Sequence, residues 1–463
     1  MLIRTLKGAK RNLARCWRDR RGNVSLMFGF FAIALTGGVG LAIDTSVAYS
    51  VRSQLAAAVD AAALAGARAF SDPDRDDDIR SFFAANFEDG YMGAELEPLQ
   101  IVPDPQARTI TVTARATIPT FFMRLLGTDF TDIAATGQAT LSSRDVEVSL
   151  VLDITGSMDP SEMADLKAAA NALIDLVVQD EQDPFRTRVA LVPYSNSVNV
   201  GSYAEDVRGA VTAGTTCVYS AEPTCENFRF PSFEGDWVTF GITSCVTERT
   251  GPYLSTDDAP DTALTRLGKQ YSHSSRNRCP DPEIMPLSSN RDALKEAVED
   301  LSAAGSTAGH IGVAWGWYMI SPNFADLWPE ANRPMNYGEV NLGRKVLKVV
   351  VIMTDGVFNT IYYDGVIAKN SGTGSGYAID KINRNGVNGN GYSQALALCD
   401  NMKAEGVEVY TVGFAEASSG TPAEFMEDCA TDAAHVYLPS SGADLQQAFR
   451  DIAAQIARLH ISM

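Results

Sequence analysis

A chain of 463 residues is long enough for two or three domains and a substantial core. Its formal charge of −19 argues against nucleic acid as a partner, because phosphate contacts need clustered positive charge. The charge is uneven: residues 1–21 hold eight Lys and Arg against the single acid Asp19, which is +7 and leaves −26 for the remainder.

The basic head leads into NVSLMFGFFAIALTGGVGLAID, residues 23–44, uncharged from Asn23 through Ile43. That is about the 20 residues a helix needs to cross the hydrocarbon core. Positive charge before it and an acidic body after it predict an amino terminus in the cytoplasm and a periplasmic body, with residues 1–21 as a basic cytoplasmic segment and 22–44 as the span. A buried helix of a soluble domain and a cleaved signal peptide are the alternatives. Against the second, the helical pattern continues through Val47, Val51, Leu55, Ala58, Val59, Ala62 and Leu64 to about Ala69 with no turn signal. The expectation is a retained membrane helix that extends into a stalk.

Ser71–Asp78 is a charged break, and Ile79–Phe87 predicts a short helix. Leu99–Val102 is an extended candidate ended by Pro103, and Thr109–Thr117 alternates like a strand. Ile118–Gly127 has the pattern of an amphipathic helix, and Ile133–Leu141 that of another strand. Residues 45–143 therefore read as a helical stalk and a small α+β module, with an apolar face that is ordinary core. The Arg20-Arg21-Gly22 entry, the apolar span, Asp44 and the run LAAAVDAAALAGARAF resemble the amino-terminal region of TadE/TadG-like proteins of Flp (Tad) pilus assembly. Some relatives are cleaved after a Gly that has a Glu at the fifth position beyond; here Gly22 is followed by Asn-Val-Ser-Leu-Met, with Met27 at that place, and the anchor is expected to stay.

From Asp145 the pattern changes. In DVEVSLVLDITGSM an apolar run ends in Asp153-Ile154-Thr155-Gly156-Ser157, and Met163, Leu166, Ala170, Leu173, Ile174 and Val177 then recur at helical spacing. Strands follow at Val189–Val192, Val346–Met353, Val407–Gly413 and His435–Leu438. They alternate with helices at Asp292–Leu301, Gly309–Met319, Ser393–Glu405, Pro422–Cys429 and Ala443–Leu459, a pattern that requires a parallel sheet covered on both faces. Three insertions interrupt residues 144–463, near 199–290, 321–344 and 362–392. The third is rich in Gly, Asn and Ser, poor in apolar residues, and expected to be mobile near the Asp355 edge. Loops on that edge are candidates for partner recognition, with simple decoration as the bland alternative.

Asp153, Thr155 and Ser157 place one carboxylate and two hydroxyls at alternate positions, an all-oxygen set suited to a hard divalent cation; a turn that merely caps a helix is the alternative. The stretch resembles the metal-ion-dependent adhesion site (MIDAS) of von Willebrand factor type A domains, Asp-x-Ser-x-Ser, with Thr155 in place of the first Ser. The resemblance carries two further ligands onto this chain: Thr307 in Gly305-Ser306-Thr307-Ala308-Gly309, and Asp355 in Met353-Thr354-Asp355-Gly356. It implies a doubly wound, Rossmann-like α/β fold and a bound Mg²⁺, Mn²⁺ or Ca²⁺. Thr155 and Ser157 would ligate directly, and Thr307, Asp153 and Asp355 directly or through water. Asp159 matches no family position.

Cys16 precedes the span, whereas Cys217, Cys225, Cys245, Cys279, Cys399 and Cys429 follow it. Six cysteines in an exported domain suggest three disulfides with 15 possible pairings, of which proximity favours Cys217–Cys225, Cys245–Cys279 and Cys399–Cys429. No Cys-x-x-Cys, His-Glu-x-x-His, Gly-x-Ser-x-Gly or phosphate-loop motif occurs, and His273, His310, His435 and His460 are scattered. No catalytic residue, nucleotide or small-molecule substrate is indicated. The expectation is a non-enzymatic, inner-membrane-anchored component of Flp/Tad pilus assembly or secretion, binding a protein partner that offers an Asp or Glu to the metal. A released surface adhesin or minor pilus-associated protein, and a metal-dependent hydrolase lacking any evident general base, are the alternatives.

Overall fold

The apolar span and the Ala-rich run beyond it form one uninterrupted helix, α1, Asn23–Arg68. In the computed structural model, which describes residues 23–460 apart from 69–73, 105–108, 141–143, 181, 184, 274–276, 342–343 and 373–377, the surroundings of this helix change at Asp44. Before it Met27, Phe28, Phe30, Phe31, Leu35 and Val39 are exposed, although the stretch from Met27 is long and apolar enough to cross a membrane. After it Val51, Leu55, Ala58, Val59 and Ala62 are fully buried along one face, the three-and-four spacing of a helix packed on a core. The basic segment, Gly22 and Cys16 lie outside the described residues.

The chain divides into two compact units, residues 1–141 and 142–462. In the first, α1 and α2 (Arg75–Asn86) accompany a four-stranded antiparallel sheet: β1 (Glu95–Leu96), β2 (Gln100–Asp104), β3 (Thr109–Pro119) and β4 (Phe130–Thr140). Alternation along β3 sends Ile110, Val112, Ala114, Ala116 and Ile118 into the core with Val51, Leu55 and Ile79, and leaves the Thr side exposed or half-buried. The helix expected over Ile118–Gly127 is not observed. β3 runs on to Pro119, and the apolar residues beyond it form the tip of the β3–β4 hairpin, with only a short 3₁₀ turn at Met123–Leu126.

In the second unit, β5 (Val146–Asp153), α3 (Pro160–Val177) and β6 (Thr187–Tyr194) begin a six-stranded sheet. It continues with β7 (Met285–Ser288), α4 (Arg291–Glu299), α5 (Gly309–Tyr318), β8 (Leu347–Thr354), α6 (Gly391–Ala404), β9 (Glu408–Gly413), α7 (Gly420–Cys429), β10 (Val436–Tyr437) and α8 (Gly442–His460). The strand order is β7-β6-β5-β8-β9-β10, parallel except for β7 at one edge. Every residue of β5, β6 and β8 is buried, because helices cover both faces. Val148, Leu150, Leu152, Val349 and Val351 meet the side of α3, α4 and α8, while Val151, Val350 and Ile352 meet that of α5, α6 and α7. Each such aliphatic side chain contributes roughly 1.5–3 kcal/mol of burial.

From β5 the chain goes to β6 on one side and later to β8 on the other, so the order of the sheet reverses at β5. The carboxyl ends of β5 and β8 flank that switch point, where open α/β sheets bind ligands. The described residues of the insertions carry small sheets of their own. The first carries a five-stranded sheet and the disulfides Cys217–Cys225 and Cys245–Cys279; a third disulfide, Cys399–Cys429, joins α6 to α7. The third insertion, expected to be mobile, pairs three short strands, Tyr362–Tyr363, Val366–Ala368 and Lys381–Ile382, while its residues 373–377 lie outside the described residues. Val366, Ile367, Ala368 and Ile382 are buried, so its few apolar residues suffice to seat it.

Candidate functional site

β5 delivers Asp153 to the switch point, and the turn that follows presents Thr155 and Ser157 before α3 begins. Asp159 starts that helix as its N-cap, accepting from the N–H of Ser161 and Glu162 in a capping box with Glu162, with Pro160 in the first turn. Its carboxylate is thereby occupied with the helix. β8 ends beside β5 and delivers Asp355.

Four of the five proposed ligands come together here. The Ser157 hydroxyl donates to Asp355 Oδ1 at 2.9 Å, and the Thr155 hydroxyl to the same oxygen at 3.4 Å. The two hydroxyl oxygens are 2.9 Å apart. Asp153 stands behind them, fully buried and held at both oxygens: Oδ1 accepts the Thr155 N–H at 2.9 Å, and Oδ2 accepts Thr354 Oγ1 at 2.6 Å and the Tyr194 hydroxyl at 3.0 Å. Burial and the Asp153 charge keep the Tyr194 phenol protonated far above neutral pH, so it remains a donor.

The fifth residue, Thr307, is brought alongside by its loop. Gly156 N–H donates to Gly305 O at 2.9 Å, and Ala304 N–H to Ile154 O at 2.9 Å, which stitches the loop onto the Asp153 turn. Gly305 has φ +84°, and a Cβ there would lie 2.5 Å from Asn196 Oδ1, so both conformation and space require glycine. Asn359, four residues past Asp355, clamps Thr307: its Oδ1 accepts the Thr307 N–H at 3.0 Å and its N–H donates to Thr307 O at 2.9 Å. At Gly312 of α5 a Cβ would meet the Tyr194 ring at 2.6 Å, so this glycine admits the ring whose hydroxyl holds Asp153.

Sequence reasoning missed Tyr194, Thr354 and Asn359, which hold the site without resembling ligands. Thr354 carried a weak signal, as a hydroxyl residue beside Asp355.

Electrostatically the site has a deficit. Burial first, and then the charge of Asp153, push the Asp355 carboxyl up to about 8. Without a counter-charge Asp355 stays largely protonated at neutral pH. Among the described residues no group of three or more His, Cys, Asp or Glu gathers in a metal-holding arrangement. The cluster instead pairs two carboxylates with neutral hydroxyls, a donor set that fits a hard, oxygen-preferring cation.

Residues 22–69 match the Tad family model, Flp pilus-assembly TadE/G-like. A comparison with curated proteins gives no match. Among solved structures, the von Willebrand factor domain of the type V pili tip protein Mfa5 from Porphyromonas gingivalis is 11% identical, with a TM-score of 0.37, and covers 69% of this chain and 98% of its own. The pilus adhesin SpaC from Lactobacillus rhamnosus GG is 12% identical with a TM-score of 0.36; the match covers 80% of this chain but only 35% of SpaC. Manganese-loaded TRAP protein from Plasmodium vivax is 12% identical with a TM-score of 0.30, covering 69% of this chain and 76% of that one.

Proposed function

We propose that this chain is a non-enzymatic component of Flp (Tad) pilus assembly, anchored in the inner membrane by α1, whose periplasmic α/β domain binds a protein partner through a divalent cation. The family match over residues 22–69 and the apolar first half of α1 support the pilus context and the anchor. The charge step across the span supports a cytoplasmic amino terminus. One observation carries the metal reading: the hydroxyls of Thr155 and Ser157 converge on Asp355 Oδ1, and burial, together with the charge of Asp153 beside it, keeps Asp355 protonated until positive charge arrives.

Thr155, Ser157 and Asp355 would hold the ion, with Thr307 reaching it from the neighbouring loop. Asp153 has both oxygens engaged by protein donors, so its part is to fix the turn and to supply negative charge from behind. A bound Mg²⁺, Mn²⁺ or Ca²⁺ would offer a coordination position to a carboxylate oxygen of the partner.

The test is a pull-down from solubilised envelopes, comparing the native chain with Asp153→Ala plus Asp355→Ala, in Mg²⁺ and in EDTA. One partner lost from both the variant and the EDTA sample, with circular dichroism unchanged, is the expected result. Identical partners in all samples would remove the metal from the interaction.

A further inference from the structure

The apolar tip of the β3–β4 hairpin is fastened to α1 at the residue where the exposed span ends. Asp44, itself buried, accepts three consecutive backbone N–H groups: Phe121 at 3.1 Å on Oδ1, and Phe122 at 2.9 Å and Met123 at 2.7 Å on Oδ2. Phe122 lies against Gly40, where a Cβ would come within 2.5 Å of the Phe122 Cβ. Gly40 is one turn before Asp44, roughly 6 Å along the axis towards the apolar stretch. The tip is therefore level with the last turn of the span.

Its aromatic residues face outward. Phe121 is 69% exposed, Phe122 39%, and Phe130, paired with Pro119 at the base of the tip, 61%. A turn held by three charge-assisted hydrogen bonds is positioned rather than loose, yet it spends those bonds on presenting Phe side chains to the outside. Aromatic rings gather where a membrane meets water. Tyr49, 74% exposed, stands on α1 about 7–8 Å beyond Asp44, on the side away from the apolar stretch. Arg124, the cation of the tip, is paired with Asp129 at 3.2 Å, so the pair is neutral and the surface is apolar rather than basic.

We propose that this hairpin tip, through Phe121, Phe122 and Phe130, seats in the interfacial zone of the lipid bilayer that α1 crosses, with Asp44 as the clasp that sets its depth. The inference rests on the anchoring reading of α1. The tip acts as a second point of membrane contact, fixing the first unit against rotation and tilt about α1. The neutral Arg124–Asp129 pair makes the seating indifferent to anionic lipid and to salt.

The test uses the full chain with Cys16→Ser, reconstituted in phosphatidylcholine vesicles, with a nitroxide on a cysteine at Phe121→Cys, Leu35→Cys or Val218→Cys. Collision with oxygen and with a water-soluble nickel complex reports depth. The expected order is Leu35→Cys deep in lipid, Phe121→Cys at the interface and Val218→Cys in water, unchanged when phosphatidylglycerol or salt is added. Adding Asp44→Ala should move the label at 121 into water while that at 35 stays deep. If 35 is deep and 121 is in water, the inference falls and the anchor stands; if 35 is in water, the anchor itself falls and the inference with it. A label at 121 shielded from both oxygen and nickel would mark a protein contact instead and overturn the lipid assignment. A label at 121 that keeps its depth in Asp44→Ala would overturn the clasp.

Discussion

Asp355 is the residue through which solution conditions reach the candidate site. In the folded, metal-free chain its carboxyl is pushed up to about 8, whereas an unfolded aspartate titrates near pH 4. Between those values the native state holds a proton that the unfolded state has lost, so unfolding releases it and stability falls as pH rises. The contribution is complete below about pH 4 and gone above about pH 8. In EDTA, the melting temperature of the α/β domain should therefore decline over that window, and Asp355→Asn should flatten the decline. With saturating Mg²⁺ the slope should also shrink, because metal ligation ionises the carboxylate and metal affinity grows with pH. Equal slopes for the native chain and Asp355→Asn would show that another group governs the dependence. The pentapeptide at Asp153 was legible because strand, turn and helix signals fall within one short window. Tyr194, Thr354 and Asn359 were not, since they support the site from other elements through contacts that only the folded sheet creates.

Among the elements, the central strands carry a feature opposite in kind to the site. Glu147, Arg188 and Lys348 sit on β5, β6 and β8 in one cross-strand row, each at most 4% exposed. Arg188 and Lys348 both donate to Glu147, which also accepts the Met335 N–H at 2.9 Å. Lys348 further donates to Ile320 O at 2.8 Å and Arg188 to Ala331 O at 3.0 Å, so the row fastens the second insertion to the amino-terminal edge of the sheet. Burial lowers the Lys348 pKa, with Glu147 opposing the shift. Glu147→Gln would leave two buried cations without their anion, and breaking such a group costs about 3–5 kcal/mol. Guanidinium unfolding should show a loss of that size, against under about 1 kcal/mol if the charges were effectively solvated. Arg188 and Lys348 lie 41 and 201 residues from Glu147 in the chain, so no local pattern pairs the three charges. The misassigned helix at Ile118–Gly127 has a related cause. Its apolar spacing is real, but Pro119 closes a strand and Asp44, 77 residues before Phe121, captures the backbone N–H groups of the turn. Local periodicity carries no record of a distant acceptor.

At the scale of the whole molecule, the two compact units have separate cores and different chemistry. The first has one sheet, no disulfide among its described residues, and a helix whose beginning is exposed and apolar. The second holds all three disulfides and the oxygen cluster. The sequence period changes at Asp145, from an alternating module to buried strands and helices, near the boundary between the two compact units. What was not legible is that the insertions fold into sheets, since their apolar residues are few and pair across long separations. Separate cores predict two calorimetric transitions for the full chain in mild detergent. A ligand bound only by the native state stabilises by about 2.7 kcal/mol at a hundredfold excess over its dissociation constant. Mg²⁺ should thus raise one transition and leave the other in place, and dithiothreitol should lower that same one, since both act on the second unit. Asp355→Ala should abolish the Mg²⁺ shift while keeping the response to dithiothreitol, which separates loss of the site from loss of the fold. A Mg²⁺ shift of both transitions, or of the one that ignores dithiothreitol, would place the metal elsewhere in the chain.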